Sequence, residues 1–122
     1  MKISVFGLGY VGCVSAACLA ENGHHVIGVD IDSEKVSAIQ KGRSPIIEPG
    51  LPELISKVVA KHFLAATMDV TYAIHESEIS LICVGTPSLP NGEIDLKFVY
   101  GVCEKIGKAL KSRNNSAVLR LQ

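Results

Sequence analysis

The stretch ISVFGLGYVG, residues 3–12, opens the chain almost at its first residue. Ile3 to Phe6 reads as a short buried strand, and Gly7, Gly9 and Gly12 form a G-x-G-x-x-G that leads into a helix. Each glycine has its own task. Gly7 permits a tight turn, Gly9 lets a pyrophosphate approach the backbone, and Gly12 lets the helix pack closely on the sheet. Phosphates then rest on the free N–H groups at the positive end of the helix dipole. Asp30 ends the next apolar run, 18 residues after Gly12. A carboxylate there can accept from an adenosine ribose. The plain alternative is a strand–helix turn with Asp30 as a local cap. It requires glycine turn, strand context and acid spacing to coincide by accident. A carboxylate at Asp30 also favours NAD, because it repels the 2′-phosphate of NADP, and no Arg follows it directly. Lys35 is either a solvated helix residue or a second ribose contact.

Working outward, helices and strands alternate. Tyr10 to Asn22 is small and apolar at helical spacing (Val11, Val14, Ala17, Cys18) and stops at Gly23. Val26 to Val29 is a second strand. Ser33 is a candidate cap for a helix over 34–41, ended by Gly42. Pro45, Pro49 and Gly50 mark a loop over 43–50. A helix over 51–61, a weak strand over 63–66 and a short helix from Asp69 to Ile74 come next. Residues 79–84 (ISLICV) form a continuous apolar run, as a strand buried on both faces should. After a loop over 85–92, Asp95 caps a helix to about Lys111 whose apolar face is Phe98, Val99, Val102, Cys103 and Ile106. Residues 117–121 form the last strand. This order implies an α/β fold, a Rossmann-type doubly wound parallel sheet of about five strands in the order 3-2-1-4-5.

Composition narrows the function. The 122 residues suit one domain, and with 48% apolar residues they can bury a core. Twelve basic residues balance twelve acidic ones. That balance argues against nucleic-acid and anionic-membrane partners, which are held by a surplus of Lys and Arg. No apolar run reaches the roughly 18–20 residues needed to span a bilayer. Met1-Lys2 and the apolar stretch to Ala17 imitate a secretion signal, but glycines interrupt the stretch and fit the phosphate loop better. Cys13, Cys18, Cys83 and Cys103 form no C-x-x-C pair and sit among apolar neighbours. They read as buried thiols of a reducing, cytoplasmic compartment. His24, His25, His62 and His75 are scattered and read as surface or loop residues, so no metal site is expected.

Four segments resemble the UDP-glucose/GDP-mannose dehydrogenase family: residues 3–12, the stretch VIGVDID (26–32) with Lys35, the loop SPIIEPGL (44–51), and LICVGTPS (81–88) leading to NGEIDL (91–96). The resemblance runs from Met1 to about Arg120, and its last two segments look more like the GDP-mannose branch than the UDP-glucose branch. It implies oxidation of a sugar C6 alcohol to a carboxylate by NAD in two hydride transfers, through a cysteine thioester. It implies that Tyr10 and Val11 offer backbone contacts to the pyrophosphate, that Asp30 and Lys35 hold the adenosine ribose, and that Thr86 meets the nicotinamide side. Thr86 also follows a strand at the C-terminal edge of a parallel sheet, where ligands bind. Glu48 is either a solvated turn acid or part of the cofactor side of the cleft.

Where family members continue, this sequence ends at Leu121-Gln122. The expectation is an incomplete NAD-binding domain over 1–122, without the family's central helical and sugar-nucleotide regions and without its catalytic cysteine. No catalytic residue is assigned, and a nucleotide sugar is a partner of the full-length family protein only. Self-association through an open sheet edge is a further expectation. The competing reading is a non-catalytic nucleotide-binding or interaction module.

Overall fold

In the computed structural model of the chain, the described residues are 1–111 and 118–121. The central strand is β1 (Lys2–Phe6), flanked by β2 (His25–Val29) and β4 (Ile79–Ile82). Beyond β2 lies β3 (Leu64–Thr67), and beyond β4 lies β5 (Val118–Leu121). All pairings are parallel and the order is the expected β3-β2-β1-β4-β5. Ile3 faces Val26 on one side and Ile79 on the other, and Phe6 likewise faces Val29 and Ile82.

Side chains alternate across β1, so the strand feeds two cores. Ile3 and Val5 pack with α1 (Tyr10–Glu21), α2 (Ser33–Gln40) and α3 (Leu51–Ala60). Phe6 packs on the other face with α4 (Val70–His75) and α5 (Lys97–Lys111). Ser4 is fully enclosed between the apolar Ile3 and Val5. Its Oγ lies 2.6 Å from Ser80 Oγ on β4 and 2.9 Å from Ser77 Oγ, and Ser77 donates to the Ala73 carbonyl at 2.7 Å. Three buried hydroxyls thus satisfy one another and tie the end of α4 to the two central strands.

The helix α1 positions the glycine loop. Its buried face is Gly12, Cys13, Ala16, Ala17 and Ala20, so no large side chain separates helix from sheet. Val11 and Cys18, expected on the apolar face, are exposed; they stand seven residues apart on the opposite side of the helix. The buried face of α5 is Val99, Ile106 and Ala109, with Val102 partly covered. Phe98 and Cys103 are turned out of that core, contrary to expectation. The apolar stripe of α5 therefore runs at positions three, four and seven apart, and neither residue lies on it.

Caps account for most boundaries. α2 is capped by Asp32 rather than Ser33: the Asp32 carboxylate accepts from Glu34 N–H at 2.9 Å, and Ser33 is already the first helical residue. Asp69 caps α4 through Tyr72 N–H at 3.1 Å, and Asp95 accepts from Lys97 N–H at 2.9 Å ahead of α5. β4 ends two residues before its apolar run does, although Cys83 N–H still reaches the Phe6 carbonyl at 2.7 Å. The loop after β4 folds into a small hairpin, with Ser88 bridging Ile94 and Gly92 taking a φ of 87° at the turn. Among the described residues, no helix is long and apolar enough to cross a membrane.

Candidate functional site: a dinucleotide cleft

The C-terminal ends of β1, β2 and β4 open into a cleft of about 930 Å³. The glycine loop forms its floor and is held from both sides. Gly7 N–H donates to the Val29 carbonyl at 2.8 Å. Gly7 has a φ of +102°, and a Cβ there would come within 2.6 Å of the Cys83 carbonyl oxygen. No L side chain fits that backbone or that space. A Cβ on Gly12 would lie 1.6 Å from the Gly7 carbonyl oxygen, so Gly12 sets how closely α1 approaches the turn. Gly9 differs: a Cβ there meets nothing within 4 Å, because it would project into open space at the cleft.

Behind the loop, Leu8 is wholly enclosed. Its side chain fills the space over Gly28 of β2, where a Cβ would lie 2.8 Å from Leu8 Cδ2. The glycine of VIGVD is thus a further part of the site that motif reading passed over. An isolated glycine inside a strand pattern is the signal for such a close approach. Leu8 N–H donates to Asp30 Oδ2 at 2.7 Å, and Asp32 N–H donates to Asp30 Oδ1 at 2.8 Å. Asp30 is therefore both a clamp on the glycine loop and an acid at the cleft. Each oxygen keeps a second lone pair for a ligand hydroxyl.

The cleft brings together Gly7, Gly9, Tyr10, Val11, Asp30, Lys35 and Thr86 of the expected residues. Gly12 is buried beneath them. Glu48 does not line the cleft; it stands in the loop before α3, where its carbonyl accepts from Leu51 N–H at 3.1 Å. The sequence reading missed part of the wall: Ile31, Met68, Val70, Phe98, Val102, Lys97 and Lys105. Ile31 is 73% exposed and Phe98 44%, which suits surfaces that a flat apolar ring would cover. On α5 the signal was a second stripe at 98, 102 and 105, which the core stripe obscured.

Neither cysteine beside the glycine loop is activated. Cys13 is buried under the loop and donates to the Leu8 carbonyl at 3.2 Å. Burial pushes its thiol up to about 11, with Lys35 opposing and Asp30 adding to the shift. Burial also pushes Cys83 up. Cys18 and Cys103 are exposed, contrary to the expectation of four buried thiols. Both lie on outer helix faces that their apolar sequence neighbours do not reveal. Among the described residues no group of His, Cys, Asp or Glu could hold a metal ion.

A dinucleotide fits this donor set. The N–H groups of Gly9, Tyr10, Val11 and Gly12 meet no acceptor among the described residues, and the first turn of α1 carries no acidic side chain. Unsatisfied N–H groups at the positive end of a helix are a receptor for a pyrophosphate. The open space at Gly9 gives it room, and Asp30 lines the same cleft from the end of the neighbouring strand.

Known proteins agree with this geometry. The family model for the UDP-glucose/GDP-mannose dehydrogenase family, NAD binding domain, matches residues 1–120. A GDP-mannose 6-dehydrogenase of Pseudomonas syringae pv. tomato is 51% identical over 114 residues, covering 93% of this chain and 26% of that protein. A UDP-glucose 6-dehydrogenase of Rhizobium meliloti is 45% identical over 112 residues, covering 91% of this chain and 26% of that protein. The crystal structure of a ternary complex of GDP-mannose dehydrogenase from Pseudomonas aeruginosa superposes with a TM-score of 0.98 at 45% identity, over 99% of this chain and 28% of that one. The chain thus spans about a quarter of the length of these relatives. With the phosphate loop, the acid of β2 and the matched residues in agreement, the chain belongs to the UDP-glucose/GDP-mannose dehydrogenase family, within its NAD-binding domain.

Proposed function

We propose that the chain is the NAD-binding portion of a nucleotide-sugar 6-dehydrogenase, with GDP-mannose favoured over UDP-glucose as the sugar nucleotide. The observation that carries this reading is the row of four free N–H groups at the head of α1, beside Asp30, in a cleft of about 930 Å³. In this reading Tyr10 and Val11 N–H hold the pyrophosphate, Asp30 and Lys35 hold the adenosine ribose, and Thr86 stands toward the nicotinamide. Bound NAD supplies the acceptor for hydride leaving the sugar C6. The residues of this chain bind and orient that acceptor, and the apolar side chains of Ile31 and Met68, at the β2 and β3 ends of the cleft beside Asp30, stand with the adenosine. The thiols beside the glycine loop are not poised to attack, because burial pushes Cys13 and the half-buried Cys83 up, and Cys18 and Cys103 do not line the cleft. Preference for GDP-mannose is supported by the greater identity to GDP-mannose 6-dehydrogenases than to UDP-glucose 6-dehydrogenases.

Calorimetric titration with NAD tests the cofactor role. Saturable binding is expected, and NAD should produce no steady NADH with either sugar nucleotide when this chain is the sole protein. Failure to bind NAD overturns the reading, and so does steady turnover, since the chemistry would then reside here. For the sugar, residues 1–120 can replace the matching segment of the Pseudomonas aeruginosa enzyme or of the Rhizobium meliloti one. The reading expects more NADH formation in the first hybrid; equal or better function in the second would remove the GDP-mannose preference.

A further inference from the structure

We propose that Lys97 and Lys105 are electrostatic binding residues for the cofactor pyrophosphate, an inference that rests on the NAD reading above. Both line the cleft with the glycine loop, from the opposite wall on α5. They stand eight residues apart on one side of the helix, about 12 Å along its axis. Between them is Gly101, where a Cβ would meet nothing within 4 Å, so no protein atom crowds the helix face between them.

Their charges are unspent. Lys108 on the same helix pairs with Glu104 at 3.4 Å, and Lys57 pairs with Glu21 at 4.0 Å. Neither Lys97 nor Lys105 makes an ion pair among the described residues. The acids of the cleft are Asp30 and Asp32, and both already accept from backbone N–H groups: Asp30 from Leu8 and Asp32, and Asp32 from Glu34. With Lys35, three lysines face two carboxylates that the β2 edge holds in place. The chain as a whole is formally neutral, so this excess is local to the cleft. A ligand bearing two phosphate charges is what the excess complements. Two exposed lysines on a helix are otherwise ordinary solvated residues, and that reading predicts no effect on binding.

The test is titration of the 122-residue chain with NAD in about 20 mM and about 0.5 M salt, where screening lengths differ severalfold. Lys97→Gln and Lys105→Gln should each weaken NAD about threefold in low salt, and the pair about tenfold, with both losses shrinking to less than about twofold in high salt. Lys108→Gln, which removes a paired charge on the same helix, should leave affinity unchanged. Uncharged adenosine should bind all variants alike. Wild-type affinity and salt dependence in the double variant would overturn the proposal while leaving the cofactor reading intact. An equal loss in Lys108→Gln would overturn it too, since bulk charge would then suffice. If the unaltered chain fails to bind NAD, the cofactor reading falls first and the proposal with it. Matching thermal melts of the variants establish that folding is not what changed.

Discussion

Gly12 and Gly9 stand three residues apart in one motif, yet the structure assigns them opposite failures. A Cβ added at Gly12 would lie 1.6 Å from the Gly7 carbonyl oxygen and 2.8 Å from its carbon. An ordinary carbon–oxygen contact is about 3.4 Å, so Gly12→Ala must open a gap of nearly 2 Å between α1 and the turn. The obstacle is backbone, so no rotamer change relieves it. The shift pulls Cys13, Ala16, Ala17 and Ala20 off the sheet they pack against. Overpacking a core costs about 1–3 kcal/mol when side chains can yield, and here they cannot, so a loss of about 3 kcal/mol or more is expected. For a domain of this size that lowers Tm by on the order of 15 °C. Gly9→Ala places its methyl in open space. It should leave Tm within a few degrees while reducing NAD affinity at least about tenfold, because the methyl occupies the phosphate position and costs more than about 1.4 kcal/mol of binding. Circular dichroism melts and NAD titrations on both variants provide the readout. A Gly12→Ala protein that melts like the unaltered chain would refute the packing argument. Gly9→Ala that keeps full NAD affinity would refute the placement of the pyrophosphate.

Asp30→Ala should narrow the preference for NAD over NADP in parallel titrations, because the carboxylate that repels a 2′-phosphate is gone; it should also lower Tm, since Leu8 N–H loses its acceptor at 2.7 Å. Ser4→Ala should cost about 1–3 kcal/mol in urea unfolding, because Ser77 and Ser80 lose a buried partner, and a neutral result would mean that water replaces it. The Cys13 thiol, pushed up to about 11, keeps its proton when the unfolded chain has lost it, so its contribution to stability is full below the ordinary thiol range and declines as pH rises from about 9 toward about 11. Urea unfolding at a series of pH values should therefore show a shallower alkaline decline in Cys13→Ala, and identical slopes would contradict the assignment.

The sequence by itself determined the sheet and the phosphate loop. Strand order follows from alternating strands and helices joined by right-handed crossovers, which leave few topologies open. The roles of Gly7, Gly9 and Gly12 follow from their spacing, since each position fixes a local backbone demand. Asp30 was legible for the same reason, as a residue at the end of a strand whose neighbours are fixed.

Tertiary structure decided what depends on how elements turn about their axes. The exposed Val11, Cys18 and Cys103 are apolar by composition, but helix rotation against the sheet turned them outward. Phe98 left the core stripe to line the cleft, and Lys97 and Lys105 faced the same way. Gly28 and Leu8 met only because β1 and β2 pair in register, Val5 opposite Gly28. The Ser4 hydroxyl met those of Ser77 and Ser80, which lie 73 and 76 residues away in sequence. Local patterns fix which backbone a segment adopts, since those preferences act within a few residues. Which face a segment shows its neighbours is set by packing that the whole fold must satisfy at once, and that is where the wall of the cofactor cleft was made.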